Sequence, residues 1–276
     1  MNCCDSALDI LKRTSRTFFI PIARLPQGLQ EAVAGAYLCM RAIDEIEDHP
    51  HLANPDKARL LRLISLNLQA GTELATVSTF SDRLETTARE LGFLDPLPEV
   101  SLRIGEWALL PPKEIAPRVW DATAAMADRM AYWSEVNWQI ESESDLDRYT
   151  FSVAGAVGLL LSELWAWFDG TQTSRQDAIG FGRGLQAVNI LRNHQEDFHR
   201  GVSFFPPGWQ VTDLDAYARR NLALADSYVK SLKGGPALDF CQIPLTLAYG
   251  TLDVMSLGRG KLSRNEVIAL LQRVTG

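Results

Sequence analysis

The chain has 276 residues, 46% of them hydrophobic, with 27 Lys and Arg against 34 Asp and Glu and a formal net charge of −7. That acidic balance excludes a general nucleic-acid binder, because a phosphate backbone is met by a basic surface. It leaves room for an anionic small substrate, since a bound cation inverts the local field.

Nearly every periodic segment reads as helix, and short alternating β-branched runs with tight turns are scarce. A first helix is predicted over 4–14. Residues 15–21, Ser-Arg-Thr-Phe-Phe-Ile-Pro, break the periodicity and end at Pro21. A second helix is predicted over 27–47, stopped by His49-Pro50 because proline disfavours helix in the residue before it. Pro55 opens the next helix from a tolerated first-turn position. Pro96, Pro98, Pro111 and Pro112 punctuate the stretch before 121–138, which reads as a long helix. Ser144 with Asp147 three residues on resembles an acidic capping box, leading into a helix over 149–167 that Asp169-Gly170 ends. Helices are predicted over 173–198, 213–233 and 236–257, with a short one after Ser263. No repeat, low-complexity tract or linker marks a boundary, so the expectation is one all-α domain over 1–276.

The four cysteines, Cys3, Cys4, Cys39 and Cys241, form neither a CxxC pair nor a zinc spacing. Cys39 lies in an apolar helical run and reads as core. With no disulfide framework and no apolar signal region in 1–16, a reducing cytoplasm is the expected location. The longest apolar stretch, 153–168, is interrupted by Ser162 and Glu163, is short for a membrane span and reads as a buried helix.

Two acid clusters carry the chemistry. On the 27–47 helix, Tyr37, Arg41, Asp44 and Asp48 step by four, three and four residues and form one stripe, flanked by Ile43 and Ile46. On the 173–198 helix, Gln186, Asn189, Asn193 and Asp197 step by three, four and four among Leu185, Val188, Ile190 and Leu191. Like charges one turn apart destabilise a free helix. A hard divalent cation is the natural neutraliser, and Mg²⁺ favours one or two carboxylates together with substrate phosphates. Two such helices facing each other would make a diphosphate cage. The bland readings are a solvated charged face for the first stripe and a polar cavity or water for the second. Small residues at 153–158 are read either as tight helix packing or as the wall of a long apolar channel, with Tyr149 at its polar mouth.

Other motifs are set aside. Gly180-Phe-Gly182-Arg-Gly184 lacks the GxGxxG spacing and a preceding strand, so it is no dinucleotide fingerprint. His49, His51, His194 and His199 are not spaced as zinc ligands, and neither GxSxG nor a P-loop occurs.

Taken together, Ser15-Arg16-Thr17-Phe18, Tyr37-xxx-Arg41-xx-Asp44-xxx-Asp48, Tyr149…Val153-Ala-Gly155-xx-Gly158 and Gln186-xx-Asn189-Ile-xx-Asn193-xxx-Asp197 resemble the squalene/phytoene synthase family. Order and spacing agree from about residue 14 to residue 206, and Lys261-Leu-Ser-Arg264 resembles the family's last helix. The resemblance implies an isoprenoid-synthase helical bundle around a central apolar cavity. It implies Mg²⁺-dependent ionisation of a long prenyl diphosphate, most plausibly the C15 farnesyl compound, and head-to-head coupling of two such molecules. By resemblance Asp44, Asp48, Asn193 and Asp197 hold metal. Tyr37, Arg41, Tyr149 and Asn189 take catalytic roles. Ser15, Arg16, Phe18, Val153, Gly155, Gly158, Gln186 and Arg192 contact substrate. NADPH use and oligomeric state are left open, as is peripheral contact with the membrane where such substrates reside.

The chain departs from the family pattern twice. The second motif should read DxxxD, and its first position here is Asn193. An arginine usually follows Gly201, and Val202 stands there, with Arg200 close by. An amide oxygen is a weaker Mg²⁺ ligand than a carboxylate, and a missing arginine removes a phosphate clamp. Two alternatives arise. In one, water captures the cation and farnesyl diphosphate becomes farnesol. In the other, the chain binds prenyl lipid without catalysis. The membrane tail of eukaryotic squalene synthases is not seen, so the shorter bacterial type is the expected comparison.

Overall fold

The structure is a computed structural model. It describes residues 3–70, 77–199 and 201–275, with the side chains of residues 3–5, 16, 77, 78 and 275 outside the description. All regular structure among the described residues is helical, as the periodicity predicts. The residues cluster into two compact units, Met1–Asn137 and Trp138–Gly276.

The first unit holds α1 (Cys3–Thr14), α2 (Arg16–Ile22), α3 (Leu29–Glu47), α4 (Asn54–Gln69), α5 (Val77–Glu90), α6 (Glu99–Leu102), α7 (Ile104–Ala108) and α8 (Ala116–Glu135). Residues 15–21 are expected to break periodicity, but a helix runs over Arg16–Ile22 instead. Ser15 explains the difference: its Oγ accepts the Phe18 N–H at 3.2 Å and caps the helix. Pro21 comes near the helix end, where one missing N–H disrupts little.

Helix α3 is the spine of this unit, with α1, α4, α6, α7 and α8 packed around it. It starts at Gly28, whose φ of +86° suits glycine and whose N–H donates to the Glu31 carboxylate at 2.5 Å. Gly35 lets α7 approach, because a β-carbon there would lie 2.8 Å from the Trp107 carbonyl. The buried Ser101 hydroxyl donates to the Ala42 carbonyl at 2.8 Å, tying α6 to α3. Cys39 is buried, as expected of a core residue.

The second unit holds α9 (Glu143–Thr150), a π-helical segment (Phe151–Gly155), α10 (Ala156–Asp169), α11 (Arg175–His199), α12 (Val211–Ser231), α13 (Pro236–Ser256) and α14 (Arg264–Thr275). The predicted cap of α9 is displaced by two residues. Ser142, not Ser144, accepts the Asp145 N–H at 3.2 Å and donates to the Asp145 carboxylate at 2.8 Å. Asp147 is used elsewhere: it accepts from the Tyr217 hydroxyl at 2.8 Å and lies 3.5 Å from the Arg183 guanidinium. Gly170, at φ +79°, ends α10 where Asp169-Gly170 predicts a stop.

Helix α11 is the spine of this unit, and its glycines explain the Gly180-x-Gly182-x-Gly184 run. A β-carbon on Gly180 or Gly184 would meet Leu224 or Leu222 of α12 at 2.5 and 2.8 Å. One on Gly182, on the opposite face, would lie 2.1 Å from the Ala154 carbonyl oxygen. The run is close packing on both sides of one helix.

The apolar stretch differs from its sequence reading as a short buried helix. Through the π segment it is continuous with α9, and Glu143–Asp169 makes 27 residues, long and apolar enough by length and composition to cross a membrane. Only 28% of its most apolar window is buried. Its glycine-mediated packing on α11 places it as a wall helix of this unit.

Candidate active site

On α3 the first stripe stands out by exposure alone. From Ala32 to Asp48, the residues that are not buried are Tyr37, Arg41, Asp44, Glu45 and Asp48. Four of the five form the predicted stripe, on a helix whose other sides are sealed in the core. The incompletely buried face of this stretch is thus made of ionisable side chains alone, carried on a core helix.

The stripe is gathered with Ser15 and Phe18. The Phe18 and Tyr37 rings lie 5.4 Å apart with a 41° tilt. Burial pushes the Tyr37 hydroxyl up, against a hydrogen bond with the Ser15 side chain that pulls it down. Arg41 pairs with Glu45 one turn on, and its Nε is buried without a protein partner. Burial opposes the Arg41 charge, but Asp44 and Glu45 outweigh it and hold the guanidinium charged. The Asp44 carboxyl is pushed up to about 7, first by burial and then by Asp48 and Glu45, with Arg41 opposing. A carboxylate disfavoured mainly by burial, and further by two acidic neighbours, favours a proton or a cation.

On α11 the second stripe runs from Gln186 (half-buried) through Asn189 (exposed) and Asn193 (half-buried) to Asp197 (buried). The Asn193 amide oxygen accepts from the exposed Arg192 guanidinium at 3.1 Å. The helix ends in a Schellman arrangement: Gly201 has φ +78°, its N–H donates to the Phe198 carbonyl at 3.0 Å, and the Val202 N–H donates to the Asp197 carbonyl at 3.0 Å.

Tyr149 is buried and stacks on Phe204, ring centroids 4.6 Å apart and 20° between planes. Val153 lies half-buried in the π segment, a local widening of the helix often found at functional sites. Gly155 and Gly158 serve packing: a β-carbon on Gly155 would meet Ile179 at 3.3 Å, and one on Gly158 would lie 2.1 Å from the Ala178 carbonyl oxygen. The Arg16 side chain, expected to meet substrate, lies outside the described residues, as does Arg200.

For a metal, the donor chemistry is hard oxygen: the carboxylates of Asp44 on α3 and Asp48 at its C-terminal cap, and a carboxylate with an amide on α11. Among the described residues no group of three or more His, Cys, Asp or Glu side chains comes together as a complete cage. The oxygen pairs fit Mg²⁺, which takes one or two carboxylates and completes its shell with water and phosphate. They do not fit zinc, which wants nitrogen or sulfur ligands in a closed set. His49 is edge-on to Phe93 at 5.0 Å, and burial holds its imidazole below the usual range.

Sequence reasoning missed Phe204 as a partner of Tyr149, and Asp147 as a partner of Tyr217 and Arg183. Nothing local in the sequence ties residue 204 to residue 149.

An all-α fold with an ionisable stripe on a core helix defines a class, and comparison with known proteins identifies it. The sequence pattern of the squalene/phytoene synthase family matches residues 11–210. The chain belongs to the squalene/phytoene synthase family. It is 28% identical to a squalene synthase of Schizosaccharomyces pombe over 88% of this chain and 57% of that protein. It is 30% identical to a squalene synthase of Eremothecium gossypii over 88% of this chain and 60% of that protein. The chain thus spans a little under two thirds of the length of these relatives. A solved structure described as TcSQS in complex with the ligand BPH1237 shares the fold, with a TM-score of 0.79 and 21% identity over 100% of this chain and 87% of that one.

Proposed function

We propose that this chain is a prenyltransferase that ionises a long prenyl diphosphate, farnesyl diphosphate by preference, in a Mg²⁺-dependent reaction and couples two such molecules head to head. The observation that carries the reading is the α3 stripe: Tyr37, Arg41 and Asp44 are half-buried and Asp48 is exposed, on a stretch that, Glu45 apart, is otherwise buried from Ala32 onward.

The first step breaks the C1–O bond of the allylic diphosphate, and the electron pair leaves with the diphosphate. Mg²⁺, when bound, supplies Lewis-acid charge withdrawal from that leaving group. In this reading Asp44 on α3 and Asp48 at its C-terminal cap are oxygen ligands in the first unit, and Asn193 and Asp197 on α11 are oxygen ligands in the second. Arg41, with a buried Nε that lacks a protein partner, is a donor for diphosphate oxygen. Gln186, Asn189 and Arg192 add donors on the second stripe. Tyr37 and Tyr149 carry hydroxyls on apolar, ring-packed supports, which suits groups that steady a cation while water is kept away. The double bond of a second molecule captures the cation at C1, and the adduct loses a proton to give a coupled C30 diphosphate.

A second reading is supported by Asn193, whose amide oxygen already accepts from Arg192. With one neutral ligand in place of a carboxylate, water captures the cation instead, giving farnesol and diphosphate. A purely lipid-binding role is disfavoured by the intact first motif.

The test is diphosphate release from farnesyl diphosphate with and without Mg²⁺, in the wild type and in Asp44→Ala and Asp48→Ala. The proposal expects release only with Mg²⁺, and loss of about 100-fold or more in each variant with little change in melting temperature. Near-normal release in either variant would remove the metal assignment. No release from the wild type would leave the binding role.

A further inference from the structure

We infer that Phe204 is the positioning residue for Tyr149, set in place by the glycine cap of α11. This rests on the reading of Tyr149 as a group that meets the reacting cation. It goes beyond that reading by naming what fixes the ring.

The chain of causes begins at Gly201. With φ +78°, it takes a left-handed conformation that costs an ordinary L-residue steric energy. That conformation allows the paired hydrogen bonds from Gly201 to Phe198 and from Val202 to Asp197, both 3.0 Å. The paired bonds fix the direction in which the chain leaves the helix. Three residues past the glycine, Phe204 is buried at 8% exposure and lies nearly parallel to Tyr149, 4.6 Å away. Pro206 is buried two residues later and anchors the far side of the turn. The loop around it is otherwise mostly exposed or half-buried. A loop that sends one ring inward onto one tyrosine restricts how that ring can tilt.

Tyr149 needs this support because its own backbone is irregular. It lies two residues before the π segment at Phe151–Gly155, where the α-helical hydrogen-bond register changes. On its N-terminal side, Asp147 is held by the Tyr217 hydroxyl at 2.8 Å, and the same hydroxyl lies 3.0 Å from Thr150 Oγ1. These bonds tie the side chains on both sides of Tyr149 to Tyr217, and Phe204 stacks on the Tyr149 ring itself. Aromatic pairs in this offset arrangement gain energy beyond their buried area, so the contact selects an orientation and does more than fill space. The carbonyl that accepts from Val202 belongs to Asp197, the last residue of the second stripe. The end of the oxygen stripe and the support of Tyr149 are therefore one short covalent unit.

The test compares full-length Phe204→Leu and Phe204→Tyr, alone and combined with Tyr149→Phe, with farnesyl diphosphate and Mg²⁺. Phe204→Leu should lower kcat about tenfold and leave KM within about twofold, while Phe204→Tyr, which keeps the ring, should restore kcat. In the Tyr149→Phe background, Phe204→Leu should cost nothing further, because the hydroxyl it positions is gone. A readout independent of turnover is ¹⁹F NMR of protein carrying 3-fluorotyrosine, the Tyr149 signal being assigned by its loss in Tyr149→Phe. Phe204→Leu should move that signal toward its denatured position and leave the other five tyrosine signals in place. An unmoved Tyr149 signal, or kcat losses that simply multiply in the double variant, overturns the inference. If the wild type turns over no prenyl diphosphate, the functional reading fails, and the NMR result still decides the positioning. Should Phe204→Leu fail to fold, Phe204→Met carries the same comparison.

Discussion

A β-carbon on Gly158 would lie 2.1 Å from the carbonyl oxygen of Ala178, so α10 and α11 meet backbone to backbone at that point. The small-residue run 154–158 is therefore packing first, whatever its outer face does. Gly158→Ala forces the helices apart, and over-packing of this kind costs roughly 1–3 kcal/mol. The expected result is a melting temperature lower by several degrees in thermal denaturation, with Gly182→Ala, which opposes the Ala154 carbonyl, behaving alike. Loss of activity at unchanged melting temperature would instead make Gly158 part of a substrate wall.

Asp44 gives a pH signature in the metal-free protein. Its carboxyl is pushed up to about 7 in the folded chain, mainly by burial, against about 3.9 in an unfolded one. Between those values the native state holds a proton that the unfolded state releases, so this group's stability contribution is full below about pH 4 and lost as pH rises through about 7. Asp44→Asn should flatten that fall. In urea titrations with EDTA it should be more stable than wild type at about pH 8 by about 1–2 kcal/mol, allowing for Asp44's partial exposure. Below about pH 4 the two should be equal. Equal midpoints in the alkaline titration would mean that the acid cluster is not strained.

Asn193 and Val202 are where this chain leaves the family pattern. Asn and Asp have nearly the same shape, so Asn193→Asp changes one charge without repacking. It also places a carboxylate beside Arg192, now 3.1 Å from the amide oxygen. The variant should reach half-maximal rate at several-fold lower Mg²⁺ and convert more substrate to C30 product at the expense of farnesol. Val202→Arg should push the same way, and the double variant should depart from additivity because both act on one leaving group. An unchanged Mg²⁺ requirement and product ratio in all three would place the control of product in the apolar wall around Val153.

Much of this was legible in the chain itself, because helical periodicity is a local signal. The α3 stripe follows from residue spacing alone, and in the structure those same residues are the ones not fully buried, with Glu45 beside them. Helix ends set by proline and by Gly170 were legible for the same reason. What the sequence hid depends on partners distant in the chain. Ser142 and Ser144 carry the same capping signal, and only the engagement of Asp147 by Tyr217 decides between them. Residues 16–22 look irregular until the Ser15 cap is seen to start a helix. The Gly180-Gly182-Gly184 run has no local reading at all, since its meaning is the carbonyl and leucines it presses against. Phe204 is the same case, a loop aromatic defined by a ring 55 positions earlier in the chain.

The central claim is head-to-head coupling, and the most direct measurement is the mass of the product. The purified full chain is incubated with farnesyl diphosphate and Mg²⁺, with and without NADPH, and the organic extract is analysed before and after phosphatase treatment. The account predicts a C30 product that requires Mg²⁺ and disappears in Asp44→Ala. Farnesol as the sole untreated product, or substrate recovered intact, would contradict it.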